Sequence, residues 1–322
     1  MKKVFITRKI PDIGVTILRD KGYEVDVSPQ DRPLTQDELI DFLKHKQYDA
    51  VLSMLSDKID AKIFDASPST KIFANYAIGY DNFDIGEAKK RGVLLTNTPH
   101  GGVDRVAEHA WALILALTCH VVEGDAYMRG GKYTGFDPML LQGMKVRGKV
   151  LGLIGAGRIG TEVARIGALG FGMRVAYYDI VRNEKIEELH NATYWSSVEE
   201  VLQQADIVSL HVPLLDSTKH LINDARLKLM KPTAYLINTS RGAVIDESAL
   251  VQALKLGIIA GAGLDVFEHE PTLTDGLKDL KNVVITPHIA SSTIEAREDM
   301  ARMSAKNIVD MLEGDKPTDV VQ

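Results

Sequence analysis

The chain has 322 residues, long enough for two ordinary domains that each bury a core. Its 38 Lys and Arg stand against 44 Asp and Glu, with 45% hydrophobic and 25% charged residues. The net charge of −6 suits a globular protein with both signs mixed along its length and offers nucleic acid no broad basic face. The longest apolar run, AWALILAL at 110–117, is far short of the ~20 residues that a membrane-spanning helix needs. No apolar leader follows the two N-terminal lysines, so no membrane partner and a cytoplasmic location are expected.

From the start, short β-branched runs alternate with helical stretches. The runs are KVFIT (3–7), YEVDV (23–27), AVLSM (50–54), KIFANY (71–76) and VLLTN (93–97), and helices over 14–22, 35–45, 61–66 and 85–92 lie between them. That alternation predicts a parallel sheet of five strands with crossover helices, complete by about residue 98. Thr35 followed by Glu38 fits a capping box, and Gly22 and Gly92 fit helix stops. Residues 104–120, DRVAEHAWALILALTCH, read as an apolar connector helix, and its single cysteine, Cys119, is expected to be an inert core residue with no disulfide partner. The Gly-rich stretch at 128–143 reads as an irregular excursion.

The alternation then restarts, with strands at VLGLI (150–154), RVAYY (174–178), DIVSL (206–210), AYLIN (234–238), GAGLDV (261–266) and VVIT (283–286). A last amphipathic helix over 292–314 carries Ala301, Ala305, Ile308 and Leu312 at helical spacing and is expected to return to the first sheet. The reading is therefore α/β with two doubly wound parallel-sheet domains. One comprises 1–99 plus 289–322, and the other, 100–288, is inserted in it, with Pro99 and Pro287 as hinge positions.

In the second domain LGLIGAGRIG (151–160) places Gly155, Gly157 and Gly160 between a strand and a helix. That context is what a dinucleotide needs: a tight turn, backbone open to the pyrophosphate, close helix–strand packing, and unsatisfied N–H groups at a helix start. The next strand ends at Asp179, 19 residues after Gly160, where a carboxylate can accept from the ribose hydroxyls and repel a 2′-phosphate. NAD is thereby favoured over NADP, against which stands only Arg182, three residues on.

Three charged groups follow three strands of that sheet: Arg241 in NTSRG, Glu270 in FEHEP and His288 in PHIASS. Each has a structural explanation alone, but ligands of open parallel sheets sit beyond strand carboxyl ends, so their convergence there points to catalysis. The set suits hydride transfer to a carbonyl. His288 can donate the proton, Glu270 can hold the imidazolium, and Arg241 can fork a substrate carboxylate and polarise the carbonyl. His211 is a weaker candidate lining the cofactor cleft, His109 is expected to be packed in its helix, and His269 to point away from Glu270. No His, Cys or Asp cluster has metal-ligand spacing.

These residues, with NYAIGYDNFD (75–84), HLINDARLKLMKPTAYLINTSRGAVID (220–246), GAGLDVFEHEP (261–271) and ITPHIASST (285–293), resemble the D-isomer-specific 2-hydroxyacid dehydrogenases over nearly the whole chain. Within that family the chain is most similar to glyoxylate/hydroxypyruvate reductases. The resemblance implies a Rossmann NAD domain inserted in a flavodoxin-like substrate domain, with a cleft that closes over the ligands, and an Arg241–Glu270–His288 catalytic set. It implies substrate carboxylate binding by backbone groups of Ala77, Ile78 and Gly79 together with Arg241 and His288, and Leu52–Leu55 walling the pocket. For NADH it implies contacts from Arg158, Ile159, Val212, Pro213, Thr218, Thr239, Ser240 and Asp265, as well as Arg241 and His288. It further implies a homodimer in which the excursion near Phe136 reaches the partner. D-lactate or another D-2-hydroxyacid dehydrogenase, a short phosphoglycerate dehydrogenase and, from another class, an NAD-sensing corepressor-like scaffold are the alternatives.

Overall fold

The computed structural model describes residues 1–321, which form two compact units: residues 1–102 with 291–321, and Val103–Ala290. The first unit runs β1 (Lys3–Ile6), α1 (Asp12–Asp20), β2 (Glu24–Val27), α2 (Gln36–His45), β3 (Ala50–Ser53), α3 (Ala61–Ala66), β4 (Ile72–Asn75), α4 (Ile85–Arg91) and β5 (Leu94–Thr96). The second contributes α5 (Val103–Thr118), α6 (Val121–Arg129), β6 (Val150–Ile154), α7 (Arg158–Arg165), β7 (Arg174–Tyr178), α8 (Glu184–His190), β8 (Thr193–Tyr194) and α9 (Val198–Gln204). It continues with β9 (Ile207–Leu210), α10 (Asp224–Leu227), β10 (Tyr235–Asn238), α11 (Glu247–Lys255), β11 (Gly261–Leu264) and β12 (Val283–Ile285), after which α12 (Ile294–Glu313) belongs to the first unit again.

In the first unit the strands pair in parallel in the order β2-β1-β3-β4-β5, the flavodoxin-like winding. Val51 and Phe73 turn to the side covered by α2–α4, while Val4, Leu52 and Ile72 meet α1 and α12, so the strands read as continuous buried runs. The helix starts follow the local chemistry. Thr35 Oγ1 accepts from Glu38 N, and the Glu38 carboxylate accepts from Thr35 N in return. On α12, Ala301, Ala305 and Ile308 form the buried stripe that lies on α1, β3 and β4, and Tyr76 donates from its hydroxyl to Arg297 O at 2.6 Å.

The second unit is a seven-stranded parallel sheet ordered β12-β11-β10-β9-β6-β7-β8, whose winding reverses between β6 and β9. Tertiary pairing adds β8, a two-residue edge strand too short to leave an alternating pattern in sequence. Helix α5 packs on α7 and on β10–β12 through Trp111, Leu113 and Leu117. It ends at Thr118, where His120 turns left-handed (φ 53°) and starts α6 at 59° to it. One expectation is corrected here: Cys119, beyond the buried end of α5, is exposed rather than in the core, and the stretch between the connector helix and the excursion, which carries no reading in the sequence, forms a helix of its own. Among the described residues, no single helix is long and apolar enough to cross a membrane.

Candidate active site

The register of the second sheet fixes what stands together. Ile154 pairs with Tyr178 and Leu210, Asn238 with Leu210 and Leu264, and Leu264 with Ile285. The next residues, Asp179, Gly155, His211, Thr239, Asp265 and Thr286, therefore emerge in one row along the carboxyl edge, at the switch point where such sheets take ligands.

At the middle of that row the glycine loop is built by close approach. Gly155 (φ 98°) has the His211 backbone where a Cβ would sit, at 2.7 Å, and a Cβ on Gly160 would lie 2.2 Å from Gly155 O. Gly157, by contrast, faces open space, and Arg158 and Ile159 begin α7 directly after it with no side-chain cap. A helix start open beside a bare backbone is a cradle for a pyrophosphate, so the residues present fit a dinucleotide. Asp179 Oδ2 accepts from Ala156 N at 2.6 Å, which ties the loop to the acid at the end of β7. Asp179, Ala156 and Gly157 line a cavity of about 380 Å³ together with Val181, Arg182, Asn183 and Glu184. Arg182, the residue that stood against an NAD preference, is turned to Glu187. Farther along the row, Thr239 Oγ1 is buried with no hydrogen-bond partner among the described residues. Val212 packs on the core, and Thr218 braces its own loop, donating to Pro213 O at 2.6 Å and accepting from Leu215 N at 2.8 Å.

The catalytic candidates lie on the β10–β12 side. His288 Nδ1 stands 2.9 Å from Glu270 Oε2, and Glu270 Oε1 accepts from Phe267 N at 3.0 Å. Burial pushes the Glu270 carboxyl pKa up, but the hydrogen bond and charge of His288, the Phe267 N–H and the Arg241 charge outweigh it and hold the group below the ordinary value. Arg241 sits on a loop pinned by the fully buried Asn238, which donates to Arg241 O at 2.8 Å and accepts from Ser240 N and Oγ. Gly242 brings this loop against the one bearing Glu270, since a Cβ there would fall 1.9 Å from the Phe267 carbonyl carbon. Glu270, Pro271, Phe267, Leu273 and His288 line a mostly apolar cavity of about 420 Å³, ample for a small acid.

Asp265 is fully buried, one layer beneath this surface. Its Oδ1 accepts from Thr286 Oγ1 (2.6 Å) and Ile289 N (2.9 Å), its Oδ2 from Ala290 N (2.7 Å), and its carbonyl from His288 N (2.9 Å). Burial raises its pKa, yet the bonds from His109, Thr286, Ile289 and Ala290 prevail and keep it low. Asp265 thus holds His288 in its left-handed conformation (φ 54°), a strained backbone of the kind that fixed contacts must maintain. His109, buried on α5, joins this network with Nε2 3.0 Å from Thr286 Oγ1. Its sequence context showed an apolar helix and gave no sign of the carboxylate it would meet.

The His211 ring lies under the glycine loop, hydrogen-bonded to Ser209 Oγ, and burial pushes its pKa down to about 3, the state of a structural neutral imidazole. His269 is exposed. In the first unit, Ala77, Ile78 and Gly79 follow β4 and are fixed by their carbonyls, which accept from Thr98 N, Asn97 Nδ2 and Asn75 Nδ2. Leu52 is buried in β3, whereas Met54 and Leu55 just beyond it are half-buried.

Residues 111–290 match the family model for the NAD-binding domain of D-isomer specific 2-hydroxyacid dehydrogenases. The glyoxylate reductase of Pyrococcus furiosus is 46% identical over 323 aligned residues, covering 99% of this chain and 95% of the relative. Among solved structures, a Thermus thermophilus protein superposes with TM-score 0.92 at 39% identity, covering 99% of this chain and all of that one. The NADPH-dependent glyoxylate/hydroxypyruvate reductase of Sinorhizobium meliloti, solved with NADP and malonate, does so with TM-score 0.86 at 30% identity, over 99% and 96% of the two chains.

Proposed function

Because the chain belongs to the D-isomer-specific 2-hydroxyacid dehydrogenase family, we propose that it is an NADH-dependent reductase of small 2-oxo acids, glyoxylate or hydroxypyruvate. The observation that carries this reading is the His288–Glu270 pair, under the charge of Arg241 and beside a cavity of small-acid size. The names of the relatives in Pyrococcus furiosus and Sinorhizobium meliloti support the choice of acid.

The glycine loop and Asp179 would hold NADH, which when bound would supply the hydride that reduces C2 of the substrate. As the carbonyl electron pair moves onto oxygen, His288 gives that oxygen a proton from Nε2, since Nδ1 is committed to Glu270. The Glu270 carboxylate stabilises the imidazolium before transfer and fixes the ring's orientation. Arg241 offers a planar fork to the substrate carboxylate and stabilises charge on the reacting oxygen. In the reverse direction neutral His288 takes the hydroxyl proton.

We assign the chain to the cytoplasm, in keeping with its lone, exposed cysteine, and to a homodimer. The dimer reading is supported by the run of exposed apolar residues Val121, Val122, Met128, Tyr133, Phe136 and Met139 on and after α6. Steady-state rates with glyoxylate, hydroxypyruvate, pyruvate and bulkier 2-oxo acids test the function. The highest kcat/KM is expected with glyoxylate or hydroxypyruvate and NADH, and a clear preference for a bulkier acid would contradict the assignment.

A further inference from the structure

Arg182 lines the same cavity as Asp179, three residues beyond it, and a guanidinium there is the group that would take a ribose 2′-phosphate. In this chain its fork is already filled. Arg182 Nε and Nη2 donate to Glu187 Oε1 and Oε2 at 2.8 and 2.6 Å, and the guanidinium lies over the Tyr194 ring, 5.8 Å from its centroid. Glu187 is itself fixed, because the Tyr177 hydroxyl donates to its Oε1 at 2.6 Å while accepting from Asn183 N at 2.9 Å. The bonds from Arg182 and then Tyr177 hold the Glu187 pKa at about 2, so the carboxylate stays charged at working pH. The Arg182 side chain is 59% exposed, so the paired acid, rather than burial, keeps its guanidinium occupied at the cavity wall.

We propose that Glu187 is a cofactor-specificity residue, a latch on α8 that withholds Arg182 from a 2′-phosphate and so reinforces the exclusion begun by Asp179. This rests on the reading that the cavity takes the adenosine end of NADH. Asp179 acts by repulsion, whereas Glu187 acts through a cation it keeps occupied, so the two contributions are separable.

Fluorescence titration of NADH and NADPH onto the full chain separates them. In Glu187→Gln the amide oxygen still accepts from Tyr177, but the charge that holds Arg182 is gone. The ratio of the NADPH to the NADH dissociation constant is expected to fall about fivefold, the scale of a well-formed exposed bidentate pair. In E187Q/R182A that gain is expected to vanish. Tyr194→Leu loosens the same guanidinium from its other side and should move the ratio in the same direction, which keeps the test open if E187Q folds poorly. A ratio that neither variant moves, or a gain that survives loss of Arg182, overturns the latch with NADH binding intact. Tighter binding of NADPH than of NADH by the unaltered chain overturns the NAD reading, and the latch with it.

Discussion

His288 takes its orientation from two directions: Glu270 holds its ring through Nδ1, and Asp265 holds its backbone from below. The first contact sets which nitrogen can carry the proton; the second keeps the residue in a left-handed conformation that a free histidine rarely adopts. His288→Ala is therefore expected to lower kcat by ~10²–10⁴, the usual worth of a general acid, with the melting temperature nearly unchanged. Turnover equal to that of the unaltered chain would remove His288 from the reaction. Arg241, Glu270 and His288 were legible because each follows an apolar run that reads as a strand, and the carboxyl ends of parallel strands are where ligands collect. Their supports were not. Asn238 sits at a strand end like many other polar residues, and Asp265 is marked only as a cofactor contact implied by the family resemblance; the fold shows that one is buried under Arg241 and the other under His288. The Arg182–Glu187 pair was likewise hidden, since nothing in the two positions shows that helix and loop will face each other.

At the level of elements, the glycine loop depends on the strand beside it. The turn at Gly155 rests on the His211 backbone, and the neutral His211 ring fills the space below, near Gly160. This makes acid stability a property of β9 as much as of carboxylates. The folded-state pKa of His211 lies below its ordinary 6.5, so its contribution is whole above pH 6.5 and is lost progressively as pH falls toward about 3. Over that window it costs up to about 1.4 kcal/mol per pH unit. His211→Gln is expected to show a shallower fall of melting temperature between pH 6.5 and 4, and superimposable curves would show that the ring does not stay neutral in the fold. Strand and helix order was readable along most of the chain, because buried parallel strands leave unbroken apolar runs. The exceptions are β8, with two residues, α6, which has no buried residue and hence no stripe to betray it, and the crossover helices α8–α11, which the alternation of strands implies without giving them residues.

For the molecule as a whole, the apolar residues on and after α6 set the expected assembly. Phe136 is 89% exposed and Met139 71%, more than a lone soluble chain would leave bare along one short run. Light scattering should give twice the 35.4 kDa mass of the chain, and Val122→Asp with Met139→Asp should shift it to the mass of one chain. A chain that is monomeric before substitution would refute the homodimer. The return of α12 to the first sheet has another consequence, for synthesis on the ribosome. The strands β1–β5 end at Thr96, yet the helix that shares with α1 the cover of Val4, Leu52 and Ile72 does not begin until Ile294, after the whole of the second unit. Until then the part of that face beside α1 is open to water and to other nascent chains, while the unit encoded between can already close its own core. The first unit to be translated is thus the last to be completed, which makes this sheet the natural client of a chaperone during birth.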